Sequence, residues 1–421
     1  MYSKTTLKNG LTILKVPIPS AKSVLVDVFV KVGSRQERPQ VNGISHFLEH
    51  LFFKGSKKFP TAQDLSHALD AIGAEYNANT GKEHTQFYIK AAKKHLPFIF
   101  EVLTDMLQSP VFDPAEIERE KGVIIEEINM YEDTPMRHVE DILEETMWPR
   151  HPLGRNIAGT KAVVRKITPA DIHNYVSIYY QPQNIILAVT GSFPDAVVDK
   201  FINRYWARLT RKRSPAWRRV RGRQRSLRAA ALAKKTEQYH LALGFLSYSH
   251  NHPDNIAQTV LATILGGGMS SRLFTEIRER RGWAYYVRAS AANYQDTGNF
   301  VIQAGVRREV LLNVLKTVSL ELAKIKSIPV GKRELDKAKE YLKGTLTLSL
   351  EASESLLGWF LEQTAFRKKI LIPEEAFRLV DRVTAGDIRR VARDIFQMKR
   401  ASFALIGPKK QDSRLKKLLR F

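Results

Sequence analysis

Apolar residues recur along this chain in two rhythms, and the points where one yields to the other mark its elements. Residues 10–14 and 24–32 are rich in β-branched and aliphatic side chains and read as strands. Residues 44–53 differ. Ile44, Phe47, Leu48, Leu51, Phe52 and Phe53 make a helix apolar nearly all round, which predicts a buried one. Thr61 caps the next helix, whose face carries Leu65, Ala68, Leu69 and Ile72 before Gly73 ends it. Residues 75–79 and 85–91 return to strand pattern, with a turn at 80–82 between them. An amphipathic helix at 98–107 stops at Ser109-Pro110, and Asp113-Pro114 opens another.

Helices near 136–148 and from Thr168-Pro169 to Tyr180 lead to a strand at 184–189 and a helix at 194–208. Residues 211–228 then break every period and read as a linker or exposed arm. The second half of the chain repeats the first in outline. A strand (240–245), a helix (253–265), a glycine turn (266–268) and a helix (271–280) precede strands at 284–291 and 299–304. Helices at 309–325, 332–350, 353–366, 373–380 and 385–396 end in a strand at 401–406. With no solenoid period, the pattern predicts an α+β protein of two homologous domains, each a mixed or antiparallel sheet with packed helices, closing as a clamshell. The expected division is 1–210, a linker at 211–230, and 231–421.

Composition narrows the chemistry. The 421 residues are ample for two cores, and 43% hydrophobic content is that of a globular chain. No apolar run is long enough to span a bilayer, and the N-terminal residues lack the apolar stretch of a secretory signal, so a cytoplasmic protein is expected. Cysteine is absent, which leaves histidine and carboxylate as ligands for any zinc. The net charge of +24 invites an anionic partner, but much of it sits in residues 211–228 and in a tail at 409–420. No nucleic-acid-binding motif accompanies it, which places nucleic acid behind other readings.

The buried helix carries the chemistry. His46, Glu49 and His50 form H-x-x-E-H, placing two imidazoles at i and i+4 with a carboxylate between them on one face. Such polar groups on a buried helix need partners, and a divalent ion supplies them. This is the inverted zinc-peptidase pattern. On the helix beginning at Pro114, Ile117, Ile124, Ile128 and Tyr131 form the apolar face, and Glu120 and Glu127 fall on its edge while Glu126 points away. Two carboxylates turned toward a core want a cation. Glu127 is taken as third ligand and Glu120 as the group orienting a histidine from behind, although facing alone allows the two to exchange places.

Together these residues resemble the pitrilysin or insulinase-type zinc peptidases, above all the two-domain branch that includes mitochondrial processing peptidase and its bacterial relatives. Asn9-Gly10-Leu11-Thr12 is similar to the family's opening strand, and His46-Phe47-Leu48-Glu49-His50 to its metal motif. The distal glutamate of the family falls on Glu127, and the orienting one on Glu120. In the second half, residues 266–274 are similar to its glycine-rich turn, and Arg278 and Tyr285 match an Arg and a Tyr brought to the substrate. By pattern alone, Arg278 belongs to a solvated basic cluster and Tyr285 to a sheet core. Tyr76-Asn77-Ala78 resembles the edge that pairs with substrate backbone.

The resemblance implies one Zn²⁺ per chain on His46, His50 and Glu127, Glu49 as general base, and Tyr285 and Arg278 as catalytic partners. Asn77 and Ala78 are then expected to bind the peptide. The expected activity is endoproteolysis of short or unfolded peptides. Removal of basic presequences is an alternative, disfavoured by the positive charge of the chain. A non-catalytic scaffold subunit is another, disfavoured because all four metal-site residues are present. A homodimer is expected, or a heterodimer with an inactive homologue, and no membrane association.

Overall fold

The strands of the first half pair into one sheet and those of the second into another, and in each the last strand runs parallel beside an early one. The computed structural model describes residues 2–221 and 224–408; the basic tail at 409–420 lies outside them. The first sheet contains β1 (Ser3–Thr6), β2 (Thr12–Pro17), β3 (Ser23–Val30), β4 (Glu75–Thr80), β5 (Thr85–Ala92) and β6 (Ile185–Gly191). Their order is β1-β2-β6-β3-β5-β4, with β2 and β6 parallel and every other pair antiparallel. The second contains β7 (Arg228–Ala233), β8 (Gln238–Ser247), β9 (Ala284–Asn293), β10 (Gly298–Arg307) and β11 (Ala401–Gly407), ordered β7-β11-β8-β10-β9. Again one pair alone, β7 and β11, runs parallel. The two topologies coincide strand for strand apart from the extra β1, which is the duplication read from the sequence.

The helices of the first half are α1 (Ile44–Leu51), α2 (Ala62–Asp70), α3 (Leu96–Gln108), α4 (Pro114–Glu132) and α5 (Pro135–Met147), followed by shorter ones. Val24, Val26, Val28 and Val30 of β3 face the core formed with α1, α3 and α4. Leu25, Asp27 and Phe29 therefore face the opposite side, because side chains alternate along a strand. That side is also buried, so the sheet needs cover on both faces.

The cover on the second face comes from far along the chain. One unit comprises Met1–Met130, Arg155–Arg218 and Leu350–Ala365, and the other Tyr131–Gly154, Arg219–Ser349 and Phe366–Phe421. Thus the helix Ser353–Phe366 lies almost wholly in the first unit, where Glu354 pairs with Lys90 of β5 at 2.5 Å and Phe360 meets the Tyr2 ring at 4.8 Å. Reciprocally, α5 belongs to the second unit, where Val139, Leu143 and Met147 pack on Ala242, Val301, Ala404 and Ile406. Gly244 lies directly beneath it: a Cβ there would lie 2.7 Å from the Met147 sulfur, so that side chain would have to shift. A division at 1–210 and 231–421 follows the sequence repeat, whereas the compact units exchange one helix each.

The segment expected to be an exposed arm is tied down over its first part. The Lys212 N–H donates to Gln181 Oε1 at 2.9 Å, and Ser214 Oγ donates to the Ile178 carbonyl at 2.8 Å. The Arg35 guanidinium lies 4.1 Å over the Trp217 ring, donates to the Arg218 carbonyl at 3.0 Å, and pairs with Glu83 at 2.5 Å. Its later part enters β7 at Arg228.

Asp27 is the one acid on the second face of β3, and one of its oxygens is buried with no partner. Burial pushes its carboxyl up to about 8 from an ordinary 3.8. Between about pH 4 and about pH 8 the unfolded chain has lost this proton while the folded chain keeps it. Stability attributable to Asp27 therefore falls as pH rises through that window, by at most about 1.4 kcal/mol per pH unit, and levels off above it. Asp27→Asn is expected to melt at higher temperature than the parent at pH 8 and to lose that advantage near pH 4. Melting curves at half-unit pH steps test this; a difference independent of pH overturns it.

Candidate metal centre

The geometry of α1 is set before its first residue. Gly43 adopts φ +101, and a Cβ there would sit 2.5 Å from the Ala158 carbonyl oxygen, so only glycine fits. The helix N-terminus is capped from outside by the buried Glu37 carboxylate. Glu37 Oε2 accepts from the Gly43 N–H and from Asn42 Nδ2, both at 2.7 Å, and Oε1 accepts from the Ser45 N–H at 2.9 Å. An acid at this end also complements the helix dipole.

From this fixed start His46 and His50 project one turn apart, with ring centroids 4.9 Å from each other. Across from them runs α4, begun by Asp113, whose Oδ1 accepts the Ala115 and Glu116 N–H groups. The two helices are antiparallel where they meet, so Glu127 faces the start of the motif and Glu120 its end. Glu127 Oε2 lies 3.4 Å from His46 Nε2 and 3.5 Å from His50 Nε2. One ligand atom from each of His46, His50 and Glu127 lies within 4.8 Å of the others. Two atoms each about 2.1 Å from one tetrahedral zinc ion stand about 3.4 Å apart, which the two Glu127 separations match.

Glu120 occupies a different place. It is 2% exposed, and its Oε2 meets His50 at Nδ1, 3.1 Å away, on the side of the ring turned from Glu127. Its Oε1 lies 2.7 Å from the Lys54 ammonium. Burial alone would raise the Glu120 carboxyl, but His50 and Lys54 outweigh it and hold it below the usual range. Burial would likewise lower His50, yet Glu120 and Glu127 lift it to about 9. The pocket therefore favours positive charge between its carboxylates.

Glu49 Oε2 and His46 Nδ1 are buried with no hydrogen-bond partner. A carboxylate oxygen left bare beside a cation-seeking triad suits a group that handles a reactive proton, not one that holds the fold.

The other expected site residues divide between the two units. Asn77 and Ala78 lie on β4, the free edge of the first sheet, and Asn77 Oδ1 accepts the Ala78 N–H at 2.8 Å. Arg278 and Tyr285 belong to the second unit and come together there. The Arg278 guanidinium is 4.9 Å from the Phe274 ring centroid and 5.8 Å from that of Tyr285. Tyr285 is no core residue: it is 74% exposed on β9, the edge strand that corresponds to β4. Sequence reasoning missed Glu37 and Lys54. Lys54 had a signal, standing four residues past His50, whereas Glu37 acts from a non-periodic turn.

Comparison with known proteins accords with this geometry. Residues 12–161 match the family described as Insulinase (Peptidase family M16), and residues 166–342 match the Peptidase M16 inactive domain. A Bacillus subtilis protein named as an uncharacterized zinc protease is 34% identical over 97% of this chain and 98% of its own length. A Streptomyces coelicolor protein, also named as an uncharacterized zinc protease, is 35% identical over 98% of this chain and 91% of its own. Among solved structures, a protease from Helicobacter pylori superimposes with a TM-score of 0.91 at 26% identity, covering 97% of this chain and 99% of that one.

Proposed function

Because the chain belongs to the M16 insulinase family of peptidases, we propose that it is a zinc-dependent endopeptidase acting on short or unfolded peptides. The observation that carries this reading is the convergence of His46, His50 and Glu127 beside the bare Glu49 oxygen. His46 Nε2, His50 Nε2 and a Glu127 oxygen would hold the ion. Zinc bound there would polarise a scissile carbonyl and make a water acidic near neutral pH.

The remaining work falls to the protein. Glu49 takes the proton of the attacking water and returns it to the leaving amide nitrogen. Glu120 accepts the His50 Nδ1 proton, which leaves the Nε2 lone pair free for ligation. As the edge strand of its sheet, β4 would take an extended peptide as a further strand, and such pairing selects by shape rather than by side chain. Tyr285 and Arg278 are assigned to the substrate by family resemblance, and Tyr285→Phe and Arg278→Ala are read in the same assay as Glu49. A chain that carries both sets is proposed to act as a homodimer. Among the described residues no helix is long and apolar enough to cross a membrane.

Cleavage of a mixed peptide library tests the reading. Chelator is expected to stop cleavage and added zinc to restore it. Cleavage unaffected by complete metal removal overturns the assignment.

A further inference from the structure

Three basic side chains on α1 and the turn after it, together with two acids on α4, form more than a three-ligand cluster. His46 and His50 are four apart on one face of α1, and Lys54 follows in the turn after the helix. Because α4 runs antiparallel, each of its inward acids meets two of them. Glu127 touches His46 and His50, and Glu120 touches His50 and Lys54. His50 is thus held from both sides, and Lys54 terminates the row.

Lys54 is fixed where it stands. Its backbone N–H donates to the Leu51 carbonyl at 3.0 Å, and the next residue, Gly55, takes φ +147 in a turn no other residue adopts easily. Its ammonium lies 2.7 Å from Glu120 Oε1, while Oε2 of the same carboxylate is on His50 Nδ1. Glu120 is almost wholly buried, so without Lys54 one oxygen would lose its charged partner and the carboxylate could turn about its last torsion. With both oxygens engaged, the plane of the carboxylate is set, and so is the line along which it accepts the His50 proton.

We propose that Lys54 is a positioning residue of the metal centre: its ammonium fixes Glu120 so that His50 Nε2 points at the place shared with His46 and Glu127. This rests on the zinc reading above, and its test therefore reads metal affinity rather than peptide cleavage. Lys54 acts on the ion's place through Glu120.

The experiment is a zinc titration of the full chain in competition with a chromophoric chelator. It compares the parent with Lys54→Met, Lys54→Arg, Glu120→Gln and the Lys54→Met/Glu120→Gln double variant. Lys54→Met is expected to weaken zinc binding by about 10–100-fold, the range for groups that orient a ligand. Lys54→Arg should recover most of the affinity. The double variant should bind no more weakly than Glu120→Gln alone, since one route is being broken twice. Melting of the zinc-free proteins is followed in parallel, and Lys54→Gln replaces Lys54→Met if the latter unfolds. An unchanged zinc Kd in the Lys54 variant overturns the proposal, as do losses that simply multiply in the double variant. A parent protein that takes up no zinc would instead remove the peptidase reading on which the proposal stands.

Discussion

Glu49→Gln is expected to bind zinc as the parent does and to cleave peptides about 10²–10⁴-fold more slowly. The amide keeps the size of the side chain and its place on α1, so neither the packing of the helix nor the direction of His46 and His50 changes. It cannot accept a proton. Glu49 carries the only carboxylate of the His46–Glu49–His50 motif, and its buried Oε2 has no hydrogen bond to lose on substitution. A loss of activity with zinc retained thus isolates proton transfer from metal binding. Parallel measurement of zinc content and initial rates decides it: an undiminished rate in Glu49→Gln removes the general-base role.

The second large effect separates Glu127 from Glu120. Glu127 Oε2 faces both Nε2 atoms, whereas Glu120 meets only the far side of the His50 ring. Glu127→Ala leaves two imidazoles, and zinc affinity is expected to fall by more than about 100-fold. Glu120→Ala should stay within the 10–100-fold typical of an orienting group. Bound zinc after dialysis against a buffered metal solution gives both values. A reversed ranking would show that the two glutamates exchange the roles assigned to them.

Much of the centre is legible in the sequence because it obeys helical arithmetic. The spacing of His46, Glu49 and His50 and the facing of Glu120 and Glu127 all follow from the period of the α-helix. Facing cannot tell the two glutamates apart, because the direction in which α4 passes α1 is a tertiary fact. Glu37 is invisible for a related reason: it caps α1 from a separate, non-periodic turn that precedes the helix. By pattern Tyr285 reads as core, since an aromatic in a strand-like run reports a strand but not whether that strand lies at an edge. The duplicated sheet order is legible in outline. The helix exchange is not, because the starts at Thr134-Pro135 and Ser353 resemble any other helix start.

That exchange reaches beyond packing. A gene cut between the two repeats would encode a first piece lacking the helix Ser353–Phe366 and a second lacking α5. Each product would emerge from the ribosome with one sheet surface bare, greasy and prone to clump. Neither repeat expressed alone would carry every helix that covers its sheet.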